Sequence, residues 1–439
     1  MKKLFVCIAL LLCMPVAATA VPPIQQAILD NGLKIMLMEA HNVPMVSMRL
    51  VMPAGSRSDP DGKGGTASLL AGMLTDHTAR HDDDAWARLL DREAIRLGAD
   101  VDRDALGISM TVLREALPAG MAAFSETVLH PGWNARRFAI LKEDAIAAAK
   151  KAQEEPRVRA AEAIASMLFE GHPYGHRSAG SVNSLPRITL ADLKRLYERQ
   201  CRPQGAVLAV SGDIHMQEIQ AMAARLFADW KGKPAAGLLD IAPPQAVHGT
   251  SRDIHMNTKQ THVALVRLGP ARNSTDFFPT FVLNHILGGG SFSSRVMEEV
   301  REKRGLAYAA YSYFVPLATL GPFVINLQTR ADQAGQAESV VRQLLSEMYA
   351  GKTTGAQLKA AKDNLSGSFA QRLDSNRERV GLIAMIGFYG LPQDYLQVWT
   401  QRVESVTLSD IRKVAEKYLD PTKWNLLRVG PITGENKPA

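Results

Sequence analysis

The chain has 439 residues, 46% of them hydrophobic and 22% charged, a balance that excludes intrinsic disorder and low-complexity architectures. Its net charge of +7, from 51 basic against 44 acidic side chains, is spread over too long a chain to mark a nucleic-acid-binding surface.

Residues 1–20 read as an export signal. Lys2 and Lys3 give a positive start, 4–16 an apolar run, and Ala18-Thr19-Ala20 a small-residue cleavage site. The run is too short for a comfortable membrane span, and no later stretch reaches the roughly 18 uncharged apolar residues that a spanning helix needs. The expectation is a soluble, exported chain, periplasmic in a bacterium or otherwise secreted. Cys7 and Cys13 leave with the signal, so Cys201 is the one mature cysteine and no intramolecular disulfide is possible. The remaining 419 residues (439 − 20) exceed what one core usually serves, at roughly 100–200 residues per domain. Two domains are expected.

In chain order, 33–38 and 44–52 alternate as strands around the turn-prone His41-Asn42. Residues 66–74 and 85–97 read as helices, 108–113 as a strand, and 117–129 as an amphipathic helix with Met121, Phe124 and Val128 on one face. A long helix over 135–153 stops before Pro156. Further on, 263–268 reads as a strand, 277–287 and 294–304 as helices, and 308–314 and 321–329 as paired strands.

An internal duplication organises these elements. Ile188-Thr189-Leu190-Ala191-Asp192-Leu193-Lys194 recurs 218 residues later as Val406-Thr407-Leu408-Ser409-Asp410-Ile411-Arg412. In each copy the threonine precedes an acid by three residues, close to a capping-box opening of a helix. Pro203 and Pro421 close the two units, and an apolar strand follows each. The expected architecture is α+β: two tandem, similar α/β-layered domains with mixed, largely antiparallel sheets, forming a clam-shell. Residues 21–231 make the first domain, the proline-rich 232–249 the linker, and 250–439 the second.

Several segments together carry a family resemblance. Gly55-Ser56-Arg57-Ser58-Asp59-Pro60-Asp61-Gly62-Lys63 resembles the approach to the zinc helix of insulinase/pitrilysin-type metallopeptidases, and His172-Pro173-Tyr174-Gly175 their HPYG turn. Pro203 through Gly212-Asp213 is similar to their strand ending in GD. The run 287–295, with Gly288, Gly289 and Gly290, and then 300–308, resembles their glycine-rich loop and R…GLxY segment. The matches span about 25–430, in the family's order.

The resemblance breaks where the chemistry should be. The family's H-x-x-E-H places two zinc-binding histidines and a general-base glutamate on one helical face. Aligned through its flanks, that motif falls on Ser68-Leu69-Leu70-Ala71-Gly72, and the later glutamate ligand on the stretch Ala147-Ala148-Ala149. A catalytic zinc needs three protein ligands plus water, and here Ser68 alone offers a donor. The resemblance therefore implies a non-catalytic member, with no metal or cofactor bound by this chain and zinc supplied by a partner subunit. Two other histidine pairs have i, i+4 spacing. His77 and His81, beside Asp82, Asp83 and Asp84, would share a metal only on a helix, and a solvated helix end or loop is favoured. His172 and His176 flank Pro173 and Gly175 and read as a turn.

What survives is equipment for holding peptide. Arg301 and Tyr308 match the family's arginine–tyrosine pair, which implies a substrate-binding and transition-state-supporting role within a complex. Gly288, Gly289 and Gly290 are read either as a hinge and close-approach loop or as a plain connector. Peptide binding in this family resembles strand addition to a sheet edge, for which 45–52, with Met45, Met48 and Met52, is a candidate. The expected function is a peptide-binding subunit of a heterodimeric zinc metallopeptidase. The expected partners are an H-x-x-E-H-bearing homologue and extended peptides. A standalone peptide-binding or scaffolding protein is the alternative, and an enzyme with a metal at His77/His81 a third reading.

Overall fold

A computed structural model describes residues 21–431; the leader assigned to 1–20 lies outside the described residues. The first half contains strands β1 (Gln25–Ile28), β2 (Lys34–Glu39), β3 (Met45–Met52), β4 (Arg96–Val101), β5 (Leu106–Leu113) and β6 (Val207–Gly212). Its helices are α1 (Thr66–Asp76), α2 (Asp83–Arg92), α3 (Leu117–Leu129), α4 (Ala135–Ala152), α5 (Pro156–Leu168), α6 (Leu190–Gln200) and α7 (Met216–Leu226). The second half has β7 (Ser251–His255), β8 (Gln260–Leu268), β9 (Ala307–Phe314), β10 (Pro322–Arg330) and β11 (Asn425–Gly430). With them come α8 (Phe277–Asn284), α9 (Ala334–Tyr349), α10 (Gly355–Ser368), α11 (Asn376–Phe388), α12 (Trp399–Glu404) and α13 (Leu408–Tyr418).

The strands form two mixed sheets, ordered β1-β2-β6-β3-β5-β4 and β7-β11-β8-β10-β9. Both sheets pair the last strand of their half parallel to an early one, β6 with β2 and β11 with β7, and antiparallel to the next, β3 or β8. The duplication seen in the sequence thus extends to strand order. It extends to single residues as well. Thr189 and Thr407 each accept the backbone N–H of the acid three residues on, completing two capping boxes that open α6 and α13. Gly212 and Gly430 close β6 and β11 with the same φ of +147°, where a Cβ would strike the backbone of the neighbouring strand.

Two helices are exchanged across the halves. Helix α11, from the second half, lies on the face of the first sheet made by β2, β3 and β6. Its residues Val380, Ile383 and Ala384 share one core with Met36, Met38, Val51, Val207 and Ala209. The approach is close enough that a Cβ on Gly387 would sit 2.4 Å from Met36 Sδ. Helix α5 makes the reciprocal crossing onto β8 and β11, packing Ala160, Ala163, Ile164 and Leu168 against Ala264, Val266, Leu427 and Val429. Each fully buried large side chain in such a seam contributes roughly 1.5–3 kcal/mol. At the seam Asp104, fully buried, accepts from the Tyr174 hydroxyl, from Tyr389 Oη at 3.0 Å and from the Ala318 backbone N–H at 2.8 Å. Burial pushes both phenols well above their ordinary pKa, so they remain donors.

Three sequence expectations need correction. The helix expected over 85–97 ends at Arg92, and the chain re-enters the first sheet as β4. Leu97, Ala99 and Val101, partly buried, join the core on alternate positions of that strand, a period of two that the preceding helical pattern masked. The helix expected over 277–287 becomes π-helical over His285–Gly289, as does Met297–Glu302 in the following one. And 45–52 is no sheet edge: β3 is bonded on both sides, to β5 and to β6.

Candidate functional site

The helix that matches the zinc motif is α1, and the segments that carry the resemblance build its start. Asp59 accepts from the backbone N–H groups of Gly65 at 2.8 Å and Ala67 at 2.7 Å, an anion placed on a helix N-terminus. His176, just after the HPYG turn, holds the same carboxylate with Nε2 at 3.0 Å. At the other end Asp76 takes both arms of Arg137, at 2.9 and 2.6 Å, which ties α1 to the first turn of α4. This pairing holds the Asp76 carboxyl below its ordinary pKa.

Between these two anchors the metal-binding face is empty of ligands. Leu69, Leu70 and Ala71 are buried, Ser68 and Gly72 are partly exposed, and a Cβ on Gly72 would touch only Leu141. On α4, Ala147 and Ala148 face outward and Ala149 is buried. One hydroxyl and seven aliphatic or hydrogen side chains do not fit zinc, which takes nitrogen, sulfur or carboxylate ligands. The frame of the family's site is built and its donor set is absent.

The histidines singled out in the sequence do not replace it. Helix α1 ends at Asp76, so His77 and His81 lie on a loop rather than on one helical face. His77 is buried, not solvated: Nδ1 meets Asp76 at 2.9 Å and Nε2 accepts from the Asn134 N–H at 3.3 Å. His81 pairs separately with Glu126 at 2.8 Å. The two histidines thus share no helical face and pair with different carboxylates. His172 caps the 3-10 turn Pro173–Gly175 and contacts Ala242 O at 2.9 Å, as a turn residue would.

Two sheet edges border the segments singled out in the sequence. In the first sheet one of the two edge strands is β4, packed against α1. Arg49 reaches across to Asp100 on it with two bonds of 2.6 and 2.7 Å, and a Cβ on Gly98 would meet nothing. A cavity of about 860 Å³ runs along this edge toward the start of α11, lined among others by Leu97, Ala99, Asn376 and Arg379. In the second sheet one of the two edge strands is β9, which carries Tyr308, 82% exposed. Arg301 lies at the end of the π-helical turn before it, with its guanidinium 5.1 Å from the Tyr308 ring and 5.1 Å from the Phe292 ring. Both rings are exposed, so they present a flat cation between two aromatic faces to solvent. Phe292 was not singled out in the sequence; the signal available was its place in the loop between Gly290 and Arg301. Of the three glycines, Gly288 makes a close backbone approach, but to the chain's own β9: a Cβ there would lie 2.4 Å from Ser312 N.

Among the described residues no helix is long and apolar enough to cross a membrane. Residues 34–181 match the family model described as Insulinase (Peptidase family M16), and 187–365 the one described as Peptidase M16 inactive domain. A crystal structure of a peptidase M16 inactive domain from Pseudomonas fluorescens is 32% identical and superposes with a TM-score of 0.89, covering 94% of this chain and 99% of that one. Two relatives from Helicobacter pylori are each 24% identical. One is named non-peptidase homolog YmxG, matched over 100% of both chains; the other is named zinc protease PqqE, matched over 94% of both. The chain belongs to the insulinase, or peptidase M16, family and is a member without that family's zinc-binding residues.

Proposed function

We propose that this chain is the non-catalytic, peptide-binding subunit of a heteromeric M16 metallopeptidase. A zinc-bearing H-x-x-E-H homologue supplies the metal, the water and the general base. This chain supplies Arg301 and Tyr308 to hold and polarise a peptide carbonyl, and its open edges β4 and β9 to receive extended backbone. Export by the leader at 1–20 places the pair in the periplasm or outside the cell. The observation that carries the reading is a double one in a single chain. The ligand positions on α1 and α4 offer one serine hydroxyl and otherwise aliphatic or hydrogen side chains while the frame around them is intact, and the arginine–tyrosine pair lies at an edge strand, β9, with the Tyr308 ring solvent-facing. Helicobacter pylori holds both a protein named as a non-peptidase homologue and one named as a zinc protease, which supports a division of labour.

The test is peptide cleavage by the purified chain, by a zinc-bearing M16 homologue from the same genome, and by their mixture. Chelator-sensitive activity is expected from the mixture and none from this chain. In the complex Arg301→Ala lowers kcat roughly 100-fold, the order seen on removing one transition-state donor, while assembly on gel filtration is retained. A lone chain as active as the mixture would sink the proposal. A standalone peptide-binding protein is the second reading, favoured by the same open edges; co-purification from the native host without a metallopeptidase would select it.

A further inference from the structure

The parallel pairing of β2 with β6 sets Glu39, the last residue of one strand, opposite Gly212, the last of the other. Both strands leave the sheet at the same end, so His41 follows from one and Asp213 and His215 from the other. Within this corner Glu39 Oε2 lies 3.0 Å from His41 Nε2 and 2.9 Å from His215 Nδ1. The two imidazole rings are 4.9 Å apart between centroids. Among the described residues this is the one group of three His, Cys, Asp or Glu side chains that could hold a metal, with all three ligand atoms within 4.8 Å of one another.

The surroundings orient these atoms. Asp213 Oδ1 takes the other nitrogen of His41, Nδ1, at 2.7 Å, which leaves the Nε2 lone pair directed at the common point. A carboxylate on the far nitrogen is the usual positioning partner of a metal-bound histidine. Gln25, from β1, donates to Glu39 Oε1 at 2.8 Å and so fixes which carboxylate oxygen faces the histidines. Tetrahedral zinc with bonds of about 2.0–2.1 Å separates its ligand atoms by roughly 3.3–3.4 Å, a few tenths beyond the 3.0 and 2.9 Å that Glu39 Oε2 keeps from the two imidazoles. His215 and His41 are exposed, so small side-chain rotations supply that expansion without disturbing the core. Two imidazoles and a carboxylate select a divalent ion of the zinc, nickel and copper class over magnesium or calcium, which prefer all-oxygen sites.

We propose that Glu39, His41 and His215 form a binding site for a divalent transition-metal ion of the zinc class, with Asp213 and Gln25 as positioning residues and the open side of the site left to water. The site ties the end of the first sheet to the start of α7 and is separate from the α1–α4 frame. It stands independently of the subunit reading.

The experiment titrates the chelator-treated full chain with zinc chloride by calorimetry, and with cobalt chloride for its visible ligand-field bands. One ion per chain is expected, with intensified cobalt bands typical of a four-coordinate nitrogen/oxygen site. His215→Ala and His41→Ala each abolish saturable binding, and Asp213→Asn weakens it about 10-fold or more, as loss of such a partner does elsewhere. Ser68→Ala and His81→Ala leave it unchanged. All these side chains are partly or largely exposed, and melting curves without metal report whether a variant has kept its fold. If His41→Ala loses its fold, His215→Gln replaces it. Absence of saturable binding to the wild-type chain overturns the proposal and leaves a hydrogen-bonded ion-pair network only. Equal binding by wild type and His215→Ala overturns it too. Zinc that survives His215→Ala and is lost with Ser68→Ala would instead place a metal on α1 and count against the subunit reading.

Discussion

At the residue scale the structure shows how much depends on a few polar groups placed where nothing else can satisfy their partners. Asp104 sits at the seam between the halves with no exposed surface, and two phenols and one backbone N–H converge on it from three separate segments. Arg57, whose Nη1 is 3.8 Å from Asp104, also donates to Leu238 O and Gly237 O, so the linker between the halves is pinned to the same point. Removing one member of a buried charged network strands the others, at a cost of about 3–5 kcal/mol. Asp104→Ala is therefore expected to lower the denaturant midpoint by that amount with the slope unchanged; a loss under 1 kcal/mol would mean that water replaces the carboxylate at the seam. The sequence did not mark Asp104. It lies in a hairpin between two strands, and its partners are 70, 214 and 285 residues away.

At the element scale the central object is α1, a helix held at both ends that carries no metal-binding side chain at 68–72. Its end is held by Asp76, which receives Arg137 in a bidentate pair and His77 beside it. Because Arg137 lowers the Asp76 pKa in the folded state, the pair stabilises fully above the unfolded value of 3.8, and that stability is lost as the pH falls through the depressed folded value. Asp76→Asn should thus destabilise the protein at pH 7 by about 1.5–3 kcal/mol, the range for charged hydrogen bonds, and progressively less below pH 3.8. Thermal melts of both proteins from pH 7 down to 2.5 check it. A penalty that stays constant over that range would assign the effect to packing rather than charge. Helix identity here was legible in the sequence from its approach segment and apolar spacing. Strand β4 was not, because 85–97 carries enough apolar residues at helical spacing to extend the preceding helix through a turn whose marker is the positive φ of Ala94.

At the scale of the whole molecule the two halves are not independent bodies joined by a linker. Each lends a helix, α5 or α11, to the other's sheet, and each would expose an apolar sheet face alone. Residues 21–231 expressed separately would leave Met36, Met38, Val51, Val207 and Ala209 uncovered. Such a fragment is expected to aggregate or melt without cooperativity, whereas the two fragments expressed together should recover a 1:1 species with a cooperative transition. Near-ultraviolet circular dichroism and gel filtration of the separate and combined fragments decide this. A cooperative, monomeric first half would show the exchange to be dispensable.

By itself the sequence determined the duplication, the capping boxes at Thr189 and Thr407, the layered α+β class and the absence of the H-x-x-E-H motif, which the resemblance aligns on 68–72. Each of these is a local pattern: a repeat, a three-residue spacing, an apolar period, a residue type in a motif. Tertiary structure decided what depends on contacts far apart along the chain. It made β3 an interior strand and β4 an edge, exchanged α5 and α11 between the sheets, and gave His77 and His81 different partners. It also brought Glu39 and His41 to His215, 174 residues beyond His41. Strand order and helix crossing are fixed by which apolar faces can cover one another, and no local window of the chain contains both faces.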